Sequence, residues 1–282
     1  VRKTLSHYIL FAFTRKFHGT YFCILINIIF RVKGKKQRVS YYRNSGLYAF
    51  KDFQSECYPP YKEFLVVSRQ DIILSLWNGL DVKAKTIGEA YFLENIEWQD
   101  GDLVIDCGAQ LGFLSLYLMK KANDLELSLE YHAFEPSELE NKCLENNTSG
   151  FEGREVHKVG LWNQDKKLNF YVSSEWADSS LIKPTNFEFT CEVQARRLDS
   201  LFAGNKIKLL KVEAEGGEPE VLEGALNILR EIHYIAADLG PERGVEKKTT
   251  YVESINFLLE NGFELVELIS SKGRGTALFK RK

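Results

Sequence analysis

Val104-Ile105-Asp106-Cys107-Gly108-Ala109-Gln110-Leu111-Gly112 is the stretch that decides the fold. Leu103–Asp106 reads as a buried strand opened by the turn Asp100-Gly101-Asp102, and Phe113–Ala122 reads as a helix with one apolar face. The glycines therefore fall where a strand becomes a helix. Gly108 lets the backbone turn sharply and approach a ligand closely, and Gly112 is expected to let the helix pack near the strand. The spacing Asp-x-Gly-Ala-x-x-Gly is not the dinucleotide pattern G-x-G-x-x-G. An acid stands where that pattern has its first glycine. This suits a ligand with no pyrophosphate there, one whose methionine end carries an ammonium group beside a sulfonium.

Outward from this turn the chain alternates. Leu129–Phe134 reads as a second strand ending at Glu135-Pro136, Ser137 is a natural N-cap, and Glu138–Asn146 is a second helix. Glu155–Val159 and Ile207–Val212 follow as third and fourth strands, with a helix around Pro219–Ile228. Ile232–Leu239 is a fifth strand, and Tyr251–Asn261 is a helix stopped by Gly262. Phe263–Ile269 and Thr276–Phe279 close as an antiparallel pair. The fold class expected is α/β, a Rossmann-like, mostly parallel sheet with helices on both faces and an antiparallel C-terminal strand pair, plus a small N-terminal helical extension. Ligands of such sheets sit at the carboxyl ends of the strands. Glu135 follows Asp106 by 29 residues, where a carboxylate can accept hydrogen bonds from both ribose hydroxyls of an adenosine.

Four blocks together resemble the FkbM-type methyltransferases, a class I family. They are Val104–Gly112; Phe134-Glu135-Pro136-Ser137 followed by Asn146-Asn147; Leu210–Glu218 followed by Val221-Leu222-Glu223-Gly224-Ala225; and Asp238–Gly244. The resemblance covers residues 65–282 and implies S-adenosyl-L-methionine as cofactor. It places Asp106, Gly108, Ala109, Gln110, Gly112, Phe113, Glu135 and Glu213 against that cofactor, with Gly160 and Leu161 along the adenine. Two positions depart from the family pattern: Glu213 stands where Asp is usual, and Gln110 where Asn or a similar residue is.

Methyl transfer to a hydroxyl profits from a general base, and the end of the fourth strand is its natural place. Glu213 and Glu215 are the candidates, with Asp238 as a third. Glu215 also reads as a carboxylate that caps the following helix through backbone amides. Trp162 and Trp176 are candidates to line an acceptor pocket, and Glu242 and Arg243 to bind polar substrate groups. No His/Asp cluster argues for a metal, and none is expected. The acceptor class implied by the resemblance is a saccharide, glycan or glycolipid hydroxyl. RNA methylation and a cofactor-binding scaffold without catalysis are the alternatives, the first disfavoured by the missing Asn/Asp-Pro-Pro-Tyr/Phe motif after the fourth strand.

Composition adds an asymmetry. Residues 1–51 hold eleven Lys or Arg and no acid, while the rest of the chain carries 26 basic and 39 acidic residues. The five cysteines are widely spaced without a CxxC pair, which excludes a disulfide scaffold and favours a reducing, cytoplasmic setting. Residues 1–64 are expected as a basic, aromatic-rich helical extension, helix–turn–helix over 1–37 and irregular over 38–65, ahead of a methyltransferase domain over 65–282. The apolar stretches Tyr8–Phe13 and Tyr21–Phe30 are too short to span a bilayer. With the following bases they suit peripheral contact of residues 1–38 with an anionic membrane face, and nucleic acid is the weaker alternative. The opposing expectation is a helix pair packed on the protein.

Overall fold

A computed structural model describes residues 17–56, 64–173, 179–271 and 274–282. Its contacts group into two compact units, Val1–Lys85 and Thr86–Lys282.

In the smaller unit, helix α1 (Gly19–Val32) precedes strands β1 (Gln37–Tyr42), β2 (Leu47–Asp52) and β3 (Leu65–Val67), which form an antiparallel sheet in that order. Helix α2 (Arg69–Leu74) follows, started by a capping box in which Ser68 and Asp71 satisfy each other's backbone amides. Phe22, Ile26 and Phe30 of α1 are fully buried. The Asn27 amide fixes the helix to the sheet edge: Nδ2 donates to Val39 O at 2.8 Å, and Oδ1 accepts from Val39 N at 2.9 Å. The expectation of an irregular segment over 38–65 is thus corrected. Val39, Leu47 and Phe50 face inward on paired strands, while aromatics on both faces hide the alternation in the sequence. The boundary expected at 64/65 falls inside this unit, because β3 begins at Leu65 and pairs with β2. Residues 1–16 lie outside the described residues, so the first half of the expected helix pair does too.

Helix α3 (Leu80–Ala90) contains the division between the units. The larger unit then runs β4 (Asp102–Cys107), α4 (Phe113–Leu125), β5 (Leu129–Phe134), α5 (Glu138–Thr148) and β6 (Arg154–His157). Next come β7 (Gly160–Leu161), β8 (Lys166–Val172), β9 (Phe189–Arg196), α6 (Leu198–Leu201), β10 (Ile207–Val212) and α7 (Glu218–Glu223). β11 (Ile232–Leu239), α8 (Tyr251–Glu260), β12 (Phe263–Ser271) and β13 (Arg274–Arg281) complete it. Seven strands form one sheet in the order β12-β13-β11-β10-β4-β5-β6. Every pair from β11 to β6 is parallel, and only β13 runs against its neighbours. The predicted mostly parallel sheet with its antiparallel closing pair is therefore the observed one. The chain works outward from β4 in one direction and returns to β10 on its other side. The carboxyl ends of β4 and β10 thus flank the point where strand order reverses, which is where such sheets bind ligands. Both strands are almost wholly buried.

Three local readings change. The strand expected over Glu155–Val159 stops at His157, and Gly160-Leu161 turns into a separate sheet, β7-β9-β8. The helix expected around Pro219–Ile228 ends at Glu223 and continues as a tighter 3₁₀ segment, Leu226–Glu231. Gly112, at φ +81°, makes room for the next helix rather than the strand: a Cβ there would lie 2.8 Å from both Leu144 and Thr148.

Gly224 binds the small sheet to α7. Its φ of −69° suits any residue, yet a Cβ would sit 2.0 Å from the Trp162 carbonyl oxygen. Gly-to-Ala at such a φ ordinarily stabilises. Gly224→Ala is expected instead to cost about 1–3 kcal/mol through overpacking, read as a lowered melting temperature; an unchanged or raised one would contradict this packing.

Candidate active site

The site grows from a buried charge. Lys211 lies on β10 among apolar neighbours and is 4% exposed. Its ammonium is 3.1 Å from Asp106 Oδ1 and 2.8 Å from Glu213 Oε2, and it donates to Gly108 O at 3.0 Å. Tyr131, on β5, donates to Asp106 Oδ2 at 2.7 Å, and Tyr91 donates to Glu213 Oε2 at 2.8 Å. Burial works against the Lys211 charge, but Asp106 and Glu213 outweigh it and hold the ammonium well above its ordinary pKa. Burial likewise pushes Glu213 up, and Lys211 and Tyr91 overturn that to leave its carboxyl below the usual range. Asp106 is 1% exposed, with both oxygens engaged. It anchors Lys211 beneath the turn rather than lining the cavity above it.

That cavity lies at the carboxyl ends of β4, β5 and β10 and is lined by Gly108, Glu135, Glu213 and the Gly160-Leu161 strand. The Gly108 backbone forms part of its floor. At φ +73° a Cβ there would be 1.9 Å from Glu213 O, so only glycine allows the two strand ends to meet this closely. Gly108 N and Ala109 N both donate to Phe134 O, and Gln110, itself at φ +49°, donates its amide to Glu135 Oε2 at 3.0 Å. Ser137 N donates to Glu135 Oε1 at 2.9 Å, while the Ser137 hydroxyl donates to Glu140 instead of capping its helix. Burial lifts the Glu135 carboxyl to about 7, against the pull of those two amides. Gly160 and Leu161 line the same space, and Phe113 is buried at the head of α4.

The remaining predicted residues divide. Glu215 lines the cavity in a left-handed conformation, φ +48°, and its carbonyl accepts from the Ser180 hydroxyl at 2.8 Å. The backbone-binding role considered for it belongs to Glu218, whose Oε1 accepts from Ala214 N and Gly216 N and whose Oε2 accepts from Thr250. Asp238, at the end of β11, pairs with Arg274 at 3.1 Å through Oδ2, and its buried Oδ1 has no hydrogen-bond partner among the described residues. Burial and the neighbouring Glu213 charge raise its carboxyl to about 6, with Arg274 opposing. Glu242 binds the same Arg274. The Arg243 fork is taken up bidentately by Glu220 at 2.6 and 2.7 Å, with Gly216 O at 2.6 Å. Trp162 packs against Gly217 and is not part of the cavity wall, and Trp176 lies outside the described residues.

Sequence reasoning missed Lys211, Tyr131, Tyr91 and Arg274. Lys211 carried a readable signal, a second lysine, after Lys208, inside a buried and otherwise apolar strand, which demands a partner. It also did not foresee that His132, Glu155 and His157 converge, their ligand-capable atoms all within 4.8 Å. His132 Nδ1 and His157 Nε2 face each other at 3.1 Å, so one donates and the other accepts. Burial depresses both imidazoles, and holding an ion there requires that bond to open.

A family model described as a methyltransferase FkbM domain matches residues 106–265. The chain belongs to the FkbM methyltransferase family. No curated protein matches it. Among solved structures it is similar to an FkbM methyltransferase from Methylobacillus flagellatus, at 16% identity and TM-score 0.46, covering 66% of this chain and 45% of that one. This methyltransferase thus spans less than half the length of that relative. It is also similar to a Methanococcus jannaschii fibrillarin pre-rRNA processing protein, at 10% identity and TM-score 0.46, over 83% of this chain and 89% of that one. A third is an Aquifex aeolicus SAM-dependent methyltransferase, at 14% identity and TM-score 0.41, over 71% and 96%. S-adenosylmethionine is the expected methyl donor. The cavity fits it: Gly108, Gln110 and Gly160 line it, and the buried Glu135 carboxylate among them can accept hydrogen bonds from hydroxyls.

Two outcomes follow from this geometry. Lys211→Ala strands the buried Asp106 carboxylate and removes the partner of the partly exposed Glu213; it is expected to cost about 3–5 kcal/mol, or roughly 10 °C of melting temperature. The triple change Asp106→Asn/Lys211→Met/Glu213→Gln should recover much of it; a single variant melting like wild type would contradict the network. For Glu135, the folded chain holds the proton more tightly than the unfolded one. Its ionisation therefore costs the ligand-free fold stability as pH rises from 4.5 to about 7. Ribose hydroxyls need the ionised form, so S-adenosylmethionine affinity by calorimetry is expected to fall about ten-fold from pH 8 to pH 6. Glu135→Gln should bind weakly with no such slope.

Proposed function

We propose that this methyltransferase transfers a methyl group to a hydroxyl of an uncharged, hydroxyl-rich acceptor, a saccharide or the glycan part of a glycolipid. The observation that carries this reading is the acidic lining of the site. Glu135, Glu140, Glu213 and Glu215 border the cavity, and Asp238 and Glu242 share Arg274 beside Glu213. Carboxylates repel a polyanion and accept hydrogen bonds from sugar hydroxyls, which disfavours RNA as acceptor. The absence of Asn/Asp-Pro-Pro-Tyr/Phe after β10, where Glu213-Ala214-Glu215-Gly216 stands, disfavours base N-methylation as well.

The bound donor supplies a methyl group on a sulfonium. The chain's own task is to align the acceptor oxygen and remove its proton. Of the three candidate bases, Asp238 suits that role best. Its carboxyl is raised to about 6 and its buried Oδ1, though outside the cavity lining, has no hydrogen-bond partner among the described residues, whereas Glu213 is neutralised by Lys211. A base must be ionised to act, so its activity is lost as pH falls through its pKa.

The test is a methyl-transfer screen of the full chain with labelled donor against neutral glycan, glycolipid and RNA fractions. Label is expected in the glycan or glycolipid fraction, with kcat falling below about pH 6. Asp238→Asn should lower kcat by roughly 10²–10⁴-fold with donor affinity unchanged. Label confined to RNA would overturn the acceptor class, and full activity of Asp238→Asn would remove it as base.

A further inference from the structure

Helix α1 has two apolar faces, and the fold uses one. Phe22, Cys23, Ile26 and Phe30 are buried against the sheet of the smaller unit, with relative exposures of 0, 6, 0 and 0%. Tyr21, Ile24, Ile28 and Val32 are 75, 55, 55 and 81% exposed. At 3.6 residues per turn these four fall within an arc of about 80°, directly opposite the buried stripe. The Asn27 clamp on Val39, together with the bond from Gly19 N to the Tyr48 hydroxyl at 2.9 Å, fixes the rotation of the helix and so the outward aim of this second stripe.

The charge around it has a single sign. Arg31 lies beside the stripe on the helix, and Lys33, Lys36 and Arg38 follow directly, all exposed. Lys35 is spent inside the unit, donating to Trp77 O at 2.7 Å. No acid occurs anywhere in residues 1–51. An exposed row of aliphatic and aromatic side chains edged only by bases matches the anionic face of a lipid bilayer: the row enters the acyl boundary and the bases meet the headgroups. The helix has 14 residues, and no helix among the described residues is long and apolar enough to cross a membrane. The contact is therefore parallel to the surface.

We infer that the outer face of α1, Tyr21, Ile24, Ile28 and Val32 with Arg31, Lys33 and Lys36, is a docking surface for an anionic bilayer. It is independent of which acceptor is methylated. A nucleic acid would use the bases but leave the apolar row in water, and a second copy of the chain would bring its own bases against these.

The experiment is sedimentation of the full chain with vesicles of phosphatidylcholine alone or mixed with phosphatidylserine. Wild type is expected to pellet with the mixed vesicles, to be released as salt rises, and to stay in solution with the neutral ones. Ile24→Ser/Ile28→Ser should lower the partition coefficient at least ten-fold, and Arg31→Gln/Lys33→Gln/Lys36→Gln roughly a hundred-fold. Both sets change exposed side chains, so thermal melting should match wild type and serves as the folding control. Equal recovery with both vesicle types, or vesicle binding unchanged in the folded Ile24/Ile28 variant, overturns the inference. So does a wild-type dimer that this variant dissolves without any vesicle binding, or RNA binding lost with the bases where vesicle binding never occurred.

Discussion

One buried ammonium governs the geometry of this site. Lys211 stands between Asp106 on β4 and Glu213 just past β10; Lys211 and Asp106 are buried, and Glu213 is partly exposed at the cavity. Removed from solvent, Lys211 and Asp106 are each costly alone and acceptable only in company. The network therefore fixes how closely the two strand ends approach. That approach in turn demands the missing side chain at Gly108 and lets the Gly108 amide reach Phe134 O. Tyr131 completes the set by donating to the Asp106 oxygen that Lys211 leaves open, and Tyr91 donates to the same Glu213 oxygen that Lys211 pairs with. What seems from the motif to be a ligand-binding acid is, in the fold, the foundation on which the binding turn rests.

How much of this the sequence reveals depends on where the constraint is stored. The turn Asp106–Gly112 and Glu135 are legible because left-handed backbone and close approach leave few residue choices, and those choices recur at fixed spacing. The central strands β4, β10 and β11 are legible because burial on both faces writes mainly apolar runs, interrupted in β10 by Lys208 and Lys211. The small sheet is not. In β9, Phe189–Arg196, the burial runs exposed at four successive positions, so no alternation betrays a strand. Nor does a sequence show which acid meets Lys211, since Asp106 reaches it only through the order of strands in the sheet. The division of labour among Glu213, Glu215 and Glu218 is hidden for the same reason. Three acids within six residues look alike until the turn at Glu215, φ +48°, aims them differently.

The electrostatics separate two tasks on one rim. On the β4–β5 side Glu135 is held by backbone amides and raised to a pKa of about 7 by burial, with Glu140 beside it, so its charge is available when a hydroxyl-bearing ligand arrives. On the β10–β11 side the carboxylates come with cations, Lys211 and Arg274, which prevent mutual repulsion from forcing them all to take up protons. Asp238 stays intermediate because burial and the Glu213 charge raise it while Arg274, shared with Glu242, pulls it down. Arg243, engaged by Glu220, contributes to the frame of this rim rather than to its open surface.

Arg274 comes from β13, the antiparallel strand that inserts beside β11. The parallel part of the sheet can be assembled from residues that precede it, but Asp238 and Glu242 then face each other without their shared cation. One strand therefore does two jobs: β13 covers the edge of β11 in the sheet, and through Arg274 it supplies the cation that Asp238 and Glu242 share.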